Sequence, residues 1–153
     1  MSGLDALYQE LILEHSKRPH GKGISAAEGV TATSHQRNPI CGDEITLQVR
    51  MNDDDTVRDV TWDGAGCSIS QASASMLAVL VDEREGGMPR AEASALIDGF
   101  REAMRSRGTI AIDEDTYGDA EALSGVSKYT ARVKCAMLAW VALEDALVRA
   151  SRP

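Results

Sequence analysis

The first part of the chain has apolar residues three or four positions apart, with acidic and amide residues between them. This spacing predicts an amphipathic helix that ends before Arg18-Pro19, because proline disfavours helical backbone at the residue before it. The predicted apolar positions are Leu4, Leu7, Tyr8, Leu11 and Ile12. Such a face packs either on its own domain or on a partner, and the pattern favours the first.

Alternation of apolar and polar residues predicts strands in the next part of the chain. Glu44–Met51 alternates with a period of two, and Val57–Trp62 follows it after the acidic turn Asn52–Asp55. Val30–Thr33 is a weaker candidate strand before them. Three strands joined by short connections favour an antiparallel sheet.

Two helices are predicted after the strands. The first begins after the glycine-containing turn at residues 64–66 and runs past Leu80. After a break at Glu85–Pro89, the second covers Arg90–Arg107 and ends at Gly108, since glycine readily ends a helix. Its predicted apolar face consists of Ala95, Leu96, Gly99, Phe100 and Ala103.

The last part of the chain is predicted to be a loop followed by a helix. Thr109–Gly125 is mixed and acidic, which predicts mostly loop with one helical turn, and Ser127–Ala150 resumes the helical period. Trp62 and Trp140 are predicted to be core residues. The inward-facing positions of the last helix are predicted to be Val133, Met137, Trp140, Val141 and Leu147.

Composition and charge predict a single globular domain and argue against some classes of partner. The 153 residues, of which 43% are hydrophobic, suit one domain over residues 1–153. The net charge is −8 and no basic tract occurs, which argues against nucleic acid and anionic membrane as partners. No apolar run approaches the ~18 residues of a membrane span, and no secretory signal pattern is visible, so we expect a cytoplasmic protein.

The three cysteines are the main candidates for functional residues. An odd number excludes complete disulfide pairing, and clustered thiols in a reducing compartment usually bind metal or act in catalysis. Cys41 lies in the Pro/Gly-containing loop before a predicted strand, and Cys67 and Cys135 each lie near a predicted helix start. The alternative is that they are small apolar core residues, and their spacing alone does not decide between the two.

A zinc site needs four ligands drawn from thiolate, imidazole and carboxylate, so three cysteines require a fourth residue. Asp43 is the best candidate, because residues two apart in a strand point to the same side and Cys41 and Asp43 can then face one ion. His35 is the rival ligand, whereas His15 and His20 are expected to be exposed to solvent.

Three motifs, in this order, resemble one known family. They are N-P-x-C-G-D at residues 38–43, G-x-G-C-x-I-S at residues 64–70 and R-x-x-C-A-x-L-A-W at residues 132–140. With them, nearly the whole chain is similar to the SufU branch of the IscU/NifU N-terminal family of iron–sulfur cluster assembly. The resemblance implies a single α+β domain with a small three-stranded antiparallel sheet and four to five helices packed around it.

Carried over residue by residue, the resemblance implies that Cys41, Asp43, Cys67 and Cys135 are metal ligands. The implied metal is zinc, with an iron–sulfur cluster as the alternative. Cys41 matches the family's sulfur acceptor, and Arg132 matches the arginine of the third motif, which we expect to contact the bound ligands. The implied function is a zinc-dependent sulfurtransferase that takes persulfide sulfur from a SufS-type cysteine desulfurase and serves downstream iron–sulfur assembly machinery.

Two other functions remain open: a scaffold on which an iron–sulfur cluster is built, and a binding module whose zinc is only structural. The chain departs from IscU proteins at Lys134, where they carry histidine, and it lacks their chaperone-read L-P-P-V-K segment, since Pro89 is the only proline between Cys67 and Cys135. The interval between these cysteines is also longer, with Arg90–Arg107 as the expected insertion. These features resemble SufU and weaken the scaffold alternative.

Overall fold

The chain forms a short run of strands framed by helices. The computed structural model describes residues 3–24, 26, 29–38 and 42–150. The elements are α1 (Gly3–Lys17), β1 (Val30–Asn38), β2 (Asp43–Met51), β3 (Thr56–Ala65), α2 (Ser68–Asp82), β4 (Met88–Pro89), α3 (Arg90–Arg105), α4 (Glu114–Tyr117), a 3₁₀ segment (Gly118–Lys128) and α5 (Thr130–Arg149). No helix among these residues combines the length and the apolar character needed to cross a membrane.

The strands form one antiparallel sheet in the order β1-β2-β3-β4. Alternate residues of β2 are buried, as its period of two predicts, and these are Asp43, Ile45, Leu47, Val49 and Met51. At the end of the first hairpin Asn38 pairs with Asp43, and the Gly42 N–H donates to the Asn38 carbonyl at 2.8 Å. The first residue of β2 is therefore a buried carboxylate, Asp43.

The predicted α+β class is confirmed, and the sheet contains one short strand more than expected. Met88–Pro89 was predicted only as a break, but it pairs with Thr56 and Val57 at the start of β3. Two residues are too few to show a period of two, so the hydrophobic pattern could not reveal this strand. β1 and β3 also extend beyond their predicted ends, to Asn38 and Ala65.

Helices α2 and α5 cover the buried face of the sheet and contact each other. The buried Ser73 hydroxyl donates to the Ala136 carbonyl at 2.6 Å and accepts from the Trp140 indole N–H at 2.9 Å. The Trp140 ring stacks on Phe100 with centroids 4.1 Å apart, and both tryptophans are core residues as predicted. This packing fixes the N-terminal ends of α2 and α5 beside the first hairpin.

Two predictions for the region after α2 were wrong in detail. Thr109–Gly125 was predicted as mostly loop with one helical turn; it contains such a turn, α4, but also most of the 3₁₀ segment, whose Leu123 is fully buried. A 3₁₀ helix has three residues per turn, so its apolar residues do not follow the α-helical period. In α3 the predicted face was also displaced, because Ala95 is exposed while Ile97 is buried.

Helix α1 packs on α2 and on the 3₁₀ segment, as the favoured interpretation of its apolar face predicted. His15 was expected to be exposed, but its side chain is only 12% exposed. Its Nδ1 lies 2.7 Å from the Ser75 hydroxyl, and its Nε2 lies 2.9 Å from the Asp119 carboxylate. Polar contacts thus join α1 to both neighbours, and His15 is unavailable as a metal ligand in this arrangement.

Candidate metal centre

Three of the four predicted ligand residues meet in the structure. One carboxylate oxygen of Asp43 and the Sγ atoms of Cys67 and Cys135 all lie within 4.8 Å of one another. These residues are 24 and 68 positions apart in the chain, so only the tertiary fold brings them together. The fourth predicted ligand, Cys41, lies outside the described residues.

Each of the three side chains is positioned by a different element. Asp43 opens β2 on its buried face and is 1% exposed. Cys67 is the N-cap residue of α2, as predicted from the preceding turn. Cys135 was expected near the start of the last helix, but it lies in the second turn of α5 and is fully buried. The cysteines are therefore held by helices that are packed against each other.

Direct hydrogen bonds connect Asp43 to the start of α2. The Cys67 backbone N–H donates to Asp43 Oδ1 at 3.0 Å, and Cys67 Sγ lies 3.8 Å from Oδ2. Ser70 Oγ lies 3.9 Å from the same sulfur and donates to the Cys67 carbonyl at 3.0 Å. Asp43 thus satisfies one free N–H of the helix end while its second oxygen lies near the Cys67 thiol.

The chemistry of this donor set fits a divalent metal ion. An ionised carboxylate that is buried without a cation costs several kcal/mol or shifts its protonation. Among the residues that the structure describes, no lysine or arginine pairs with Asp43. Two thiols and a carboxylate are ligands that zinc accepts, and a cation held between them would neutralise the buried charge.

Gly66 makes room for the carboxylate. A Cβ atom at this position would lie 2.5 Å from Asp43 Oδ1 and 2.5 Å from Ser70 Oγ, closer than real Cβ contacts. The sequence predicted that glycine is needed here for the backbone conformation of a tight turn. Gly66 instead has an ordinary backbone conformation, and glycine is needed because there is no space for a side chain. The G-x-G-C motif therefore carries a packing signal that the sequence alone did not reveal.

Gly66→Ala is expected to displace Asp43 from the thiols. Overpacking of this kind costs about 1–3 kcal/mol, and we expect zinc affinity to fall by about tenfold or more because a ligand moves. Gly125→Ala is the matched control, since a Cβ at Gly125 meets no atom within 4 Å. Chelator competition and thermal unfolding measure the two effects. Parental zinc affinity in Gly66→Ala would show that the carboxylate position is unimportant.

The rival ligand His35 is not part of this group. Its Nε2 lies 2.9 Å from Glu44 Oε1, and its Nδ1 lies 2.8 Å from Thr46 Oγ1. Its side chain is half exposed, as is that of Glu44, whereas Asp43 is buried. Because adjacent strand residues point to opposite faces, His35 and Asp43 belong to opposite sides of the sheet.

Arg132 lies one helical turn before Cys135 on α5 and is exposed. Its side chain lines a surface slot together with Tyr129 and Ile69, and it makes no ion pair with any described residue. Lys134, which stands next to Cys135, is also exposed. Two exposed cations thus lie within three residues of Cys135 on α5, but the structure shows no contact between Arg132 and the three ligand atoms.

Comparison with known proteins agrees with the motifs. The family model described as the NifU-like N terminal domain matches residues 7–148. The chain is 41% identical to an iron-sulfur cluster assembly scaffold protein IscU of Streptococcus pyogenes, covering 99% of this chain and 89% of that protein. It is 39% identical to the zinc-dependent sulfurtransferase SufU of Bacillus subtilis, covering 97% and 94%.

A solved structure shares the fold. The crystal structure of a SUF-system iron-sulfur cluster assembly scaffold protein from Fervidobacterium islandicum superposes with a TM-score of 0.73 at 33% identity, covering 93% of this chain and 97% of that one. Sequence motifs, family model and fold therefore agree over nearly the whole chain. The chain belongs to the NifU-like N-terminal domain family and is a SufU-type member of it, as the motifs predicted.

Proposed function

We propose that this protein is a zinc-dependent sulfur acceptor that takes persulfide sulfur from a cysteine desulfurase for iron–sulfur cluster assembly. The general role in cluster assembly is supported by relatives with that name at 37–41% identity. The sulfurtransferase role is supported by the B. subtilis relative, which is named for it. Cys41, Asp43, Cys67 and Cys135 are the proposed metal ligands.

The observation that carries the proposal is the close approach of three donor atoms. In a tetrahedral site with Zn–S bonds of about 2.3 Å, neighbouring sulfurs stand about 3.8 Å apart. Asp43, Cys67 and Cys135 place their donor atoms within 4.8 Å of one another, which a small contraction brings to that spacing. The ligands of a two-iron cluster are divided between two metal ions, so at least one of any three stands farther from the others. The spacing therefore favours a single ion.

Cys41 is the proposed fourth ligand and the sulfur acceptor. It is two residues before Asp43 in the sequence, and no histidine among the described residues joins the group. Bound zinc holds its sulfur ligands as thiolates at neutral pH, where a free thiol is only a few per cent ionised. Cys135 is fully buried, so it is poorly placed to meet a sulfur donor on another protein.

The proposed transfer conserves atoms and charge. The Cys41 thiolate attacks the outer sulfur of a desulfurase persulfide, R–S–SH, and the S–S bond of the desulfurase breaks. A new S–S bond forms on Cys41 to give Cys41–S–SH, and the desulfurase cysteine leaves as R–S⁻. The exchange involves no net oxidation. It therefore needs no external oxidant or reductant.

Arg132 is the proposed electrostatic partner of the site. Three thiolates and one carboxylate around a dication leave a net charge of about −2, which favours a nearby cation. Arg132 is three residues before Cys135, and residues at this spacing share a helix face. It is free of described ion pairs, so its guanidinium is available to contact the ligands or the incoming persulfide.

A cluster scaffold is the second candidate function. It is favoured by the S. pyogenes relative, whose name says scaffold, and three thiols with a carboxylate can also hold a cluster. Lys134 weighs against it, because it stands exposed where IscU proteins carry the histidine. Metal content separates the two: colourless protein with about one zinc supports the sulfur acceptor, and brown iron-loaded protein supports the scaffold.

The test is desulfurase turnover measured together with zinc content. We expect the aerobically purified protein to increase cysteine turnover several-fold, and chelated protein to lose this effect until zinc is restored. Far-ultraviolet circular dichroism of the chelated protein checks that the large core stays folded, since this domain is far bigger than a zinc finger. Stimulation that is equal with and without zinc would leave the metal with a structural role only.

A further inference from the structure

Two sulfur atoms of the candidate metal centre lie close enough to react with each other. Cys67 Sγ and Cys135 Sγ are within 4.8 Å of each other, and the structure shows no bond between them. Sulfurs that bind one zinc ion stand about 3.8 Å apart, and those of a disulfide about 2 Å apart. The gap between the observed spacing and a covalent bond is within the reach of a side-chain rotation.

The packing of two helices holds these sulfurs together independently of a metal ion. Cys67 is at the start of α2, and Cys135 is in the second turn of α5. The buried Ser73 hydroxyl joins the same two helices, since it donates to the Ala136 carbonyl and accepts from the Trp140 indole N–H. These contacts lie within about two helical turns of both cysteines. Loss of zinc should therefore leave the two sulfurs close together.

The two cysteines differ in their access to solvent. Cys67 is half-buried, and as the N-cap of α2 its side chain makes no capping hydrogen bond. A peroxide is far smaller than a protein persulfide and can reach a thiolate in this setting. Cys135 is fully buried, so the group best placed to react with it is the neighbouring sulfur. This arrangement is typical of a peroxide-reactive cysteine beside a resolving cysteine.

We propose that Cys67 and Cys135 are a redox-sensitive pair, which a peroxide joins in a disulfide once zinc has left the site. The disulfide removes two of the four proposed ligands, so the oxidised protein loses its capacity to bind zinc. Exposure to peroxide would then stop sulfur delivery until a thiol reductant restores the site. The modification follows from the positions of the two sulfurs, whereas its effect on sulfur delivery rests on the proposed function.

The oxidation uses one peroxide for each disulfide. The Cys67 thiolate attacks one peroxide oxygen, the O–O bond breaks, and Cys67–S–OH forms while the other oxygen leaves and takes a proton from solvent. The Cys135 thiolate then attacks the Cys67 sulfur, the S–O bond breaks, and hydroxide leaves. The two sulfurs lose two electrons in all, and the peroxide gains them. A thiol reductant reverses the change by exchange through a mixed disulfide.

Peptide mapping of the oxidised protein tests the pairing without any substitution. Because trypsin cuts after lysine and arginine, the three cysteines fall in separate peptides, which are residues 38–50, 59–84 and 135–149. We expect chelated protein treated with one equivalent of hydrogen peroxide to lose about 2 Da and to join the second and third peptides. Zinc uptake should fall by about tenfold or more and return after treatment with dithiothreitol.

Urea-unfolded protein is the matched control for the role of the fold. In an unfolded chain the shorter loop closes more readily, and Cys41 is 26 positions from Cys67 whereas Cys135 is 68 positions from it. Unfolded protein should therefore join mainly the first and second peptides, while folded protein joins the second and third. Folded protein that links Cys41 to Cys67, or that links no peptides, would overturn the inference.

Single substitutions assign the roles of the two cysteines. Cys41→Ala should form the same disulfide, whereas in Cys135→Ala a sulfenic acid should persist on Cys67 and react with dimedone. Circular dichroism verifies that the chelated proteins stay folded. If no disulfide forms and zinc-loaded protein still stimulates the desulfurase, this inference fails and the proposed function stands. If the disulfide forms but zinc-loaded protein never stimulates the desulfurase, the modification stands and the proposed function is overturned.

Discussion

Replacing Cys41 by alanine is expected to abolish the mass gain of about 32 Da, one sulfur atom, that the protein acquires from a desulfurase and cysteine. The reason is that sulfur transfer needs a thiolate that another protein can reach. Intact-mass spectrometry after incubation with desulfurase and cysteine measures the adduct directly. Peptide mapping of the unaltered protein should place the adduct on the peptide that contains Cys41.

The structure narrows the choice of acceptor from the other two cysteines. Cys135 is fully buried on α5, within a helix that packs against the sheet and α2. Cys67 is half-buried at the N-cap of α2, where its backbone N–H is bonded to Asp43. Cys135 could not approach a donor persulfide without disturbing this packing, and the backbone of Cys67 is held in place by its hydrogen bond. Cys41, in the sequence motif before Asp43, is the remaining thiol.

Cys67→Ala is the matched control for this experiment. Both variants lose one thiolate ligand and are expected to weaken zinc binding, so a loss of metal alone would affect them alike. With enough zinc added to load both variants, we expect the Cys67→Ala protein to retain the adduct and the Cys41→Ala protein to lack it. An adduct that persists in Cys41→Ala and disappears in Cys67→Ala would reassign the acceptor to the helix N-cap.

The hydrophobic pattern predicted the sheet and the long helices because each has a period that the sequence shows. β2 alternates, and its register brings Asp43 to the buried face. The pattern did not predict the 3₁₀ segment, whose buried residues follow another period, or β4, which is only two residues long. These elements depend on tertiary contacts more than on local preference.

Candidate ligands could be named from the sequence, but the setting of the three that the structure brings together could not. The choice between Asp43 and His35 turned on the side of the sheet, which the alternation of a strand decides once its register is known. The space that Gly66 leaves for the carboxylate could not be predicted, because it depends on the distance between β2 and the start of α2. The surface slot lined by Tyr8, Ile69 and Arg132 could not be predicted either, since it is assembled from four separate elements.

Asp43→Asn is expected to lower zinc affinity about 10²-fold. Structural zinc sites bind with about 10–16 kcal/mol, so one of four ligands contributes roughly 3 kcal/mol. The amide oxygen can still accept the Cys67 N–H, now 3.0 Å from Oδ1, so the start of α2 should stay in place. Glu44→Gln, an exposed neighbour on the opposite face, is the control and should bind zinc normally.

The effect of Asp43→Asn on the free energy of unfolding should depend on whether zinc is bound. At a fixed free zinc concentration well above the parental dissociation constant, a 10²-fold loss of affinity removes about 2.7 kcal/mol of zinc-linked stability. Without zinc, the parent buries a carboxylate that no described lysine or arginine neutralises, whereas the Asp43→Asn protein would bury a neutral amide of the same shape. The metal-free variant should therefore be at least as stable as the metal-free parent. Urea unfolding of both proteins with zinc and with chelator measures the four values, and a variant that is destabilised equally in both conditions would show that Asp43 acts through packing and not through a cation.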